Sequence, residues 1–217
     1  MKDSLRTIIF ATVLGVVCAG LLAAANHVLK PYQDDNAAAE KWRNVFGVLG
    51  VPFDENATSA ELLKLVRSKG NPDGKVSETA VAGMKIYTYR HPQAGKLYAV
   101  EFAGPGLWGP IEGLLCLKSD LKTVFNIAFY KQEETPGLGA EIGGPAFRGR
   151  FRDKTIAAPG GKGGIHVRKP GAASGNNEVD GISGATLTCN KVEAMINAVS
   201  RRIEENRAAI LKEGGNE

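Results

Sequence analysis

The fold class is decided by residues 84–130, MKIYTYRHPQAGKLYAVEFAGPGLWGPIEGLLCLKSDLKTVFNIAFY. Four apolar runs follow one another in this stretch, each rich in β-branched and aromatic side chains, with Gly and Pro punctuation between them. Runs of this kind predict β-strands, here at 84–90, 96–102, 111–118 and 124–130. We therefore expect an antiparallel meander.

Helical patterns precede these strands. Apolar side chains recur at helical spacing in residues 37–49, after Pro31 and a polar stretch, which predicts a helix there. Thr58 and Glu61 form a capping box in front of the segment ELLKLVRSK, which predicts a second helix. The NPDG sequence at 71–74 is typical of a turn.

A strand and a helix are expected to follow the meander. A glycine-rich segment at 160–164 leads into a short predicted strand at 165–169. The last helix is expected from about Lys191, with Asn190 and Glu193 as its cap. Because strands and helices do not alternate strictly, the sequence predicts the α+β class, an antiparallel sheet with flanking helices.

The N-terminal region carries a candidate membrane anchor. The run TIIFATVLGVVCAGLLAAA, Thr7–Ala25, has 19 residues without a charge, about 28 Å of helix against a hydrocarbon core of about 30 Å. Lys2 and Arg6 precede it, and positive charge favours the cytoplasmic side, so we expect the rest of the chain outside. The alternative is a cleaved signal peptide with a site at 23–25, although this apolar run is long for one.

Composition narrows the function classes. The chain has 217 residues, 43% hydrophobic and 23% charged, with a net charge of +4, which is ordinary globular usage. There is no dense Lys/Arg block, so nucleic-acid binding is not expected. Cys18, Cys116 and Cys189 form no CxxC pair, which argues against zinc and iron–sulfur sites. Any redox chemistry would then use an organic cofactor.

Two glycine-rich segments stand out, EETPGLG at 133–139 and DGISGATLT at 180–188. The second is a small-residue loop in front of a helix, where backbone N–H groups and the helix dipole favour an anion such as phosphate. Thr186 and Thr188 add hydroxyls, which are weak nucleophiles until something activates them. The residues alone leave two interpretations open, an anion-binding loop and an ordinary turn before a helix.

These segments resemble those of a known family. The pattern Asp-x-x-Ser-Gly-Ala-Thr at 180–186 resembles the flavinylation motif of the FMN-binding domain family, and ETPGLG at 134–139 resembles its second hallmark. The runs GLWG at 106–109 and FRGRF at 147–151 make the resemblance closer to the Na⁺-translocating NADH:quinone oxidoreductase than to its sister, the ion-translocating ferredoxin:NAD⁺ complex.

The resemblance implies a covalent flavoprotein. In the family, a flavin transferase that consumes FAD esterifies the phosphate of FMN to the threonine after Gly-Ala, here Thr186; Thr188 is the competing acceptor. The residues expected to bind the cofactor are Trp108, Glu134, Thr135, Gly137, Leu138, Gly139, Asp180, Ser183, Gly184, Ala185, Thr186 and Thr188. No catalytic residue and no metal ligand is expected.

Several of these residues have a second interpretation. Asp180 is expected to order the loop or to position the magnesium and FAD of the transferase; the alternative is a plain Asx-turn. Ser183 either bonds near the phosphate or only holds the turn. Thr135 and Leu138 are expected to contact the isoalloxazine ring, unless they belong to a plain Pro-Gly turn.

Trp108 and the acidic pair at 133–134 are also ambiguous. Trp108 either stacks near the flavin or is a buried core residue. Glu133 and Glu134 are expected to lie in a solvated turn rather than to act as a paired acid and base.

The function implied by the resemblance is electron transfer at a bacterial inner membrane. The chain would be a single-pass subunit of a six-subunit Nqr complex, or of the related Rnf complex, with its FMN on the periplasmic or exterior side and no turnover alone. The expected division is an anchor at 1–30, a helical linker at 31–83, an FMN-binding domain at 84–205 and a polar tail at 206–217. A flavin-free anchored binding or scaffold module is the remaining alternative.

Overall fold

A five-stranded antiparallel sheet with helices on both of its faces forms the body of the protein. The structure is a computed structural model, and it describes residues 2–67, 76–156 and 164–215. The predicted turn at 71–74 and most of the glycine-rich segment at 160–164 lie outside these residues. The helices are α1 (Lys2–Leu49), α2 (Ser59–Arg67), α3 (Pro145–Arg148), α4 (Thr186–Glu205) and α5 (Arg207–Gly215), with 3₁₀ turns at Gly139–Gly143 and Gly149–Phe151. The strands are β1 (Val76–Val81), β2 (Met84–His91), β3 (Gly95–Pro105), β4 (Pro110–Leu117), β5 (Val124–Lys131), β6 (His166–Arg168) and β7 (Glu178–Asp180).

The sheet runs β1-β2-β3-β4-β5 in chain order, and every neighbouring pair is antiparallel. This confirms the predicted meander and the α+β class. Strand β1 was not among the predicted strands, and its register with β2 pairs Val76 with Tyr89 and Val81 with Met84. A domain boundary at residue 83 would therefore cut the sheet between its first two strands.

Alternation along the strands separates two apolar layers. On one face Ile86, Val100 and Leu115 pack with Val192 and Ile196 of α4. On the other face Tyr87, Ala99, Leu114 and Cys116 pack with Phe46 and Leu49 of α1 and with Leu62 of α2. Successive strand residues point to opposite faces of a sheet, so a sheet covered on both faces needs apolar residues at nearly every position, as in LLCL of β4.

Helix α1 is one continuous helix of 48 residues, and the predicted separate helix at 37–49 is its C-terminal part. Pro31 lies inside it and removes one backbone hydrogen bond. Residues 5–37 are exposed, and a window within Leu5–Leu49 is long and apolar enough to cross a membrane, by length and composition. The helix packs on the sheet only from Ala38 onward. By length, composition and exposure, this region is the candidate membrane anchor and its extension.

The helix ends are explained by local contacts. Gly50 adopts φ +69° after α1, and Val51 N donates to Phe46 O at 2.9 Å, a Schellman arrangement. The predicted capping box at α2 is confirmed, because Thr58 N donates to Glu61 Oε2 at 2.8 Å and Glu61 N donates to Thr58 Oγ1 at 3.3 Å.

The predicted start of the helix expected from about Lys191 is wrong, and so is its place as the last element, because α5 with its buried Ile210 occupies the predicted polar tail. Helix α4 begins at Thr186, so Asn190 and Glu193 lie inside it and do not cap it. The carboxylate of Glu193 instead accepts a hydrogen bond from Val167 N at 2.7 Å. That bond fastens α4 to β6, the short strand expected at 165–169, which pairs in parallel with β7.

Candidate functional site

A groove of about 210 Å³ opens at the start of α4, where the β3–β4 loop and the two glycine-rich segments meet. The structure thereby brings together most of the residues expected to bind the cofactor; Gly137, Asp180 and Ser183 do not line the groove. Leu107 and Leu187 line it as well, although neither was singled out from the sequence. The lining residues are Leu107, Trp108, Glu134, Thr135, Leu138, Gly139, Gly184, Ala185, Thr186, Leu187 and Thr188.

The loop before α4 turns sharply into the helix. Gly184 adopts φ +77°, a conformation that favours glycine, and Ala185 occupies the N-cap position without a side-chain hydrogen bond. Thr186 is the first helical residue. The N–H groups of a helix's first turn have no intrahelical acceptor, and the helix dipole is positive at this end. The floor of the groove can therefore hold an anion.

The two threonines of the first turn differ sharply. Thr188 is 2% exposed, and its hydroxyl donates to Glu134 Oε2 at 2.6 Å. Thr186 is exposed, and its hydroxyl has no hydrogen-bond partner among the side chains and backbone that the structure describes. Of the two hydroxyls, only that of Thr186 is available to a reagent from solvent.

Glu134 is buried, so its expected place in a solvated turn is wrong, whereas Glu133 is exposed. Its Oε1 accepts hydrogen bonds from Leu107 N at 2.7 Å and Trp108 N at 3.2 Å. Burial alone would raise the pKa of this carboxyl group. The hydrogen bonds from Thr188, Leu107 and Trp108 outweigh burial, and the pKa of Glu134 is lowered. The groove thus encloses an ionised carboxylate with three donors.

Glycine is required on both sides of this carboxylate. A Cβ atom on Gly139 would lie 2.7 Å from Thr188 Oγ1 and 2.8 Å from Glu134 Oε2. A Cβ atom on Gly106 would lie 2.5 Å from Glu134 Oε1. Glycine at positions 106 and 139 therefore leaves room for the β3–β4 loop, the 3₁₀ turn and the first turn of α4 to approach the Glu134 carboxylate.

Large apolar side chains are exposed around the groove. Trp108 is 70% exposed, Leu187 59%, Leu107 45% and Leu138 42%. The interpretation of Trp108 as a core residue is therefore wrong. Exposed apolar side chains gathered in one patch are typical of a binding site for a ligand or another protein, and the helical turn beside them favours an anion.

The loop at 180–185, which leads to Thr186, is held in place by contacts that could not be predicted from the sequence. Arg150 Nη1 donates to Asp180 O at 2.8 Å and to Gly181 O at 2.7 Å. Asp180 Oδ1 accepts a hydrogen bond from Ala173 N at 3.0 Å, which supports its loop-ordering interpretation. Cys189 Sγ accepts one from Ile182 N at 3.3 Å, and burial raises the pKa of this thiol. The only sequence signal for Arg150 was its place in FRGRF.

Comparisons with known proteins agree on one group. Residues 106–200 match the FMN-binding domain family. The chain is 30% identical over 228 residues to the C subunit of the Na⁺-translocating NADH-quinone reductase of Vibrio anguillarum, covering 88% of this chain and 89% of that protein. It is 28% identical over 229 residues to the same protein of Pasteurella multocida, covering 88% of each.

Solved structures are similar to it as well. The crystal structure of the corresponding C subunit from Parabacteroides distasonis gives a TM-score of 0.64 at 27% identity, covering 79% of this chain and 94% of that one. Shewanella oneidensis NqrC gives a TM-score of 0.50 at 24% identity, covering 65% and 70%, and supports the fold alone.

Proposed function

Because the chain belongs to the family of C subunits of Na⁺-translocating NADH-quinone reductases, we propose that it carries FMN as a phosphoester on Thr186. It is an electron-carrying, membrane-anchored subunit of such an oxidoreductase complex. Bound FMN supplies one-electron chemistry, and the protein supplies its placement and electrostatic surroundings.

The observation that carries the proposal is the contrast between the two hydroxyls at the start of α4. Thr186 is exposed beside an uncapped helical turn, whereas Thr188 is buried against Glu134. A phosphate on Thr186 Oγ would lie next to the free N–H groups of this turn, a favourable position for an anion. The exposed side chains of Trp108, Leu138 and Leu187 offer apolar surface for the ring.

The attachment step can be written from these groups. Thr186 Oγ forms a bond to the phosphorus of the FMN half of FAD, the pyrophosphate P–O bond breaks, and AMP leaves. The hydroxyl must lose its proton, and the described residues place no acceptor beside it. We infer that a flavin transferase supplies the base, since a free threonine hydroxyl is a weak nucleophile.

The placement of the domain follows from the anchor. Lys2 and Arg6 precede the apolar run, and positive charge favours the cytoplasmic side. We propose that the sheet and the groove therefore lie on the periplasmic or exterior side, in an assembly of six subunits that couples electron transfer to Na⁺ movement. The other subunits would exchange electrons with the groove.

The test is intact mass after co-expression with a flavin transferase. The wild type and Thr188→Ser should each gain the mass of one FMN less water, and Thr186→Ala should gain nothing. Serine is the right control at 188, because it keeps a donor for the buried carboxylate. Thr186→Ala should fold normally, since an exposed side chain is shortened. An adduct that persists on Thr186→Ala, or a wild type that gains none, would contradict the proposal.

A further inference from the structure

The Glu134 carboxylate lies between two segments that are distant in sequence. Its Oε1 accepts the backbone N–H groups of Leu107 and Trp108, at the tip of the β3–β4 loop. Its Oε2 accepts the hydroxyl of Thr188, in the first turn of α4. One segment carries the exposed indole of the groove, and the other carries Thr186. One side chain therefore joins the two walls of the groove.

We propose that Glu134 is the positioning residue of this site, which holds the Trp108 loop against the first turn of α4 so that the groove has its shape before FMN arrives. The inference rests on the proposed function for the identity of the ligand. The contacts themselves are formed within the protein chain.

A carboxylate suits this position for a chemical reason. When ionised it only accepts hydrogen bonds, and its two oxygens can receive donors from different directions. Here all three partners are donors, two N–H groups and one hydroxyl. Glu134 is 5% exposed and Thr188 is 2% exposed, so removing the carboxylate would leave the buried Thr188 hydroxyl without its acceptor, which is more unfavourable than the net value of a hydrogen bond.

The loop tip has few other supports of its own. Gly106 N donates to Gly109 O at 2.8 Å, which closes the turn. Within the described part of the chain, Leu107 N and Trp108 N have Glu134 as their hydrogen-bond acceptor. Trp108, 70% exposed, is not held by core packing. Its backbone direction therefore depends on the carboxylate.

The first experiment measures amide hydrogen exchange in the flavin-free full-length protein in detergent. In Glu134→Ala, the amides of Leu107 and Trp108 should exchange about tenfold faster or more, because their acceptor is gone. Glu141→Ala, which removes an exposed carboxylate from the neighbouring 3₁₀ turn, should leave both amides at the wild-type rate. Unchanged exchange in folded Glu134→Ala would overturn the proposal.

The second experiment distinguishes a positioning role of Glu134 from a general effect on stability. If Glu134→Ala does not fold, this experiment alone tests the proposal. Thr188→Val removes only the bond on the α4 side and keeps the side-chain shape; Thr188→Ser keeps the bond. In flavin-loaded protein, the visible circular dichroism of FMN should fall at least about twofold in the valine variant, since a loosened supporting contact leaves the ring less fixed. It should stay at the wild-type strength in the serine variant.

The two proposals fail in different ways. A wild-type signal in folded, loaded Thr188→Val would overturn the role of Glu134 while the flavin remains on Thr186. A wild-type protein that gains no flavin would overturn the proposed function, and the exchange of the Leu107 and Trp108 amides, measured without flavin, would still decide whether Glu134 positions the loop.

Discussion

Arg150 Nη1 lies 2.7 Å from the carbonyl oxygen of Gly181, and the same nitrogen reaches the carbonyl oxygen of Asp180 at 2.8 Å. One guanidinium nitrogen thus binds two successive carbonyl groups of the loop that leads to Thr186. Arg150, in the FRGRF segment, therefore holds the loop at 180–185 in place, and α4 begins directly after this loop.

Arg150→Ala should lower the free energy of unfolding by about 2 kcal/mol, because two hydrogen bonds from a charged group are lost. Flavin incorporation should also slow, since the loop loses its support. Arg152→Ala is the control: Arg152 is exposed, and its removal should change stability by less than about 0.5 kcal/mol. Urea unfolding and timed intact mass measure the two effects. Equal behaviour of the two variants would show that Arg150 does not support the loop.

Gly139→Ala should lower the free energy of unfolding by about 1–3 kcal/mol, because its Cβ atom would push Glu134 away from Thr188. Gly143→Ala is a matched control in the same 3₁₀ turn, where a Cβ atom would meet nothing within 4 Å. It should be neutral within about 0.5 kcal/mol. Chemical denaturation of both variants checks this, and a neutral Gly139→Ala would contradict the close approach.

Trp108→Phe should change stability by less than about 0.5 kcal/mol, because the side chain is largely exposed. It should nevertheless remove most of the tryptophan quenching that distinguishes flavin-loaded wild type from flavin-free Thr186→Ala. Trp42, which packs against Phe46 and Tyr87 on the opposite side of the sheet, provides the comparison. If Trp42→Phe removed the quenching instead, Trp108 would not be next to the flavin.

Glu178 should make the stability of the loop at 169–178 depend on pH. Hydrogen bonds from the backbone of Ser174 and Gly175 and from the Arg168 side chain lower the pKa of Glu178 from 4.5 to about 2. A lowered folded-state pKa means that this stabilisation is complete above about pH 4.5 and is lost as the pH falls towards 2.

The measurement is the difference in unfolding free energy between wild type and Glu178→Gln. The difference should be constant from neutral pH to about pH 4.5 and should shrink below that value. A difference that stays constant down to pH 2 would show that the carboxylate is not held as an anion by these donors.

A reporter fused after the C-terminus should identify the side of the membrane. With the sheet outside, an alkaline phosphatase fusion should be active and a green fluorescent protein fusion dark, since the first folds outside the cytoplasm and the second inside. Reversing the charges of Lys2 and Arg6 should weaken this preference. The opposite reporter pattern would place the groove in the cytoplasm.

Contacts between residues that are close in the sequence could be predicted, and contacts between distant residues could not. The capping box of Thr58 and Glu61 was visible because its two members are three residues apart. The start of α4 was missed because its N-cap, Ala185, makes no side-chain hydrogen bond. In contrast, Asn190 and Glu193 have the residue types of a cap without its position, and the pattern of types alone was misleading.

Glu134 shows the other limit. Its partners are 26, 27 and 54 residues away. The burial of Glu134 can therefore be explained only by the fold, which brings the β3–β4 loop and the first turn of α4 to it. A glutamate before Thr-Pro-Gly in a sequence is typical of an exposed turn. The strands of the meander were predictable for the converse reason, since each carries its alternation within a few neighbouring residues.

The continuity of α1 through Pro31 sets how far the packed domain stands from the apolar run. Residues 26–37, the twelve between the apolar run and the first packed turn, form a helical arm of about 18 Å. Tilting that arm by about 20°, a common angle for membrane helices, moves its far end sideways by only about 6 Å. The length of this arm therefore determines the distance from the apolar run at which a redox partner would meet the groove.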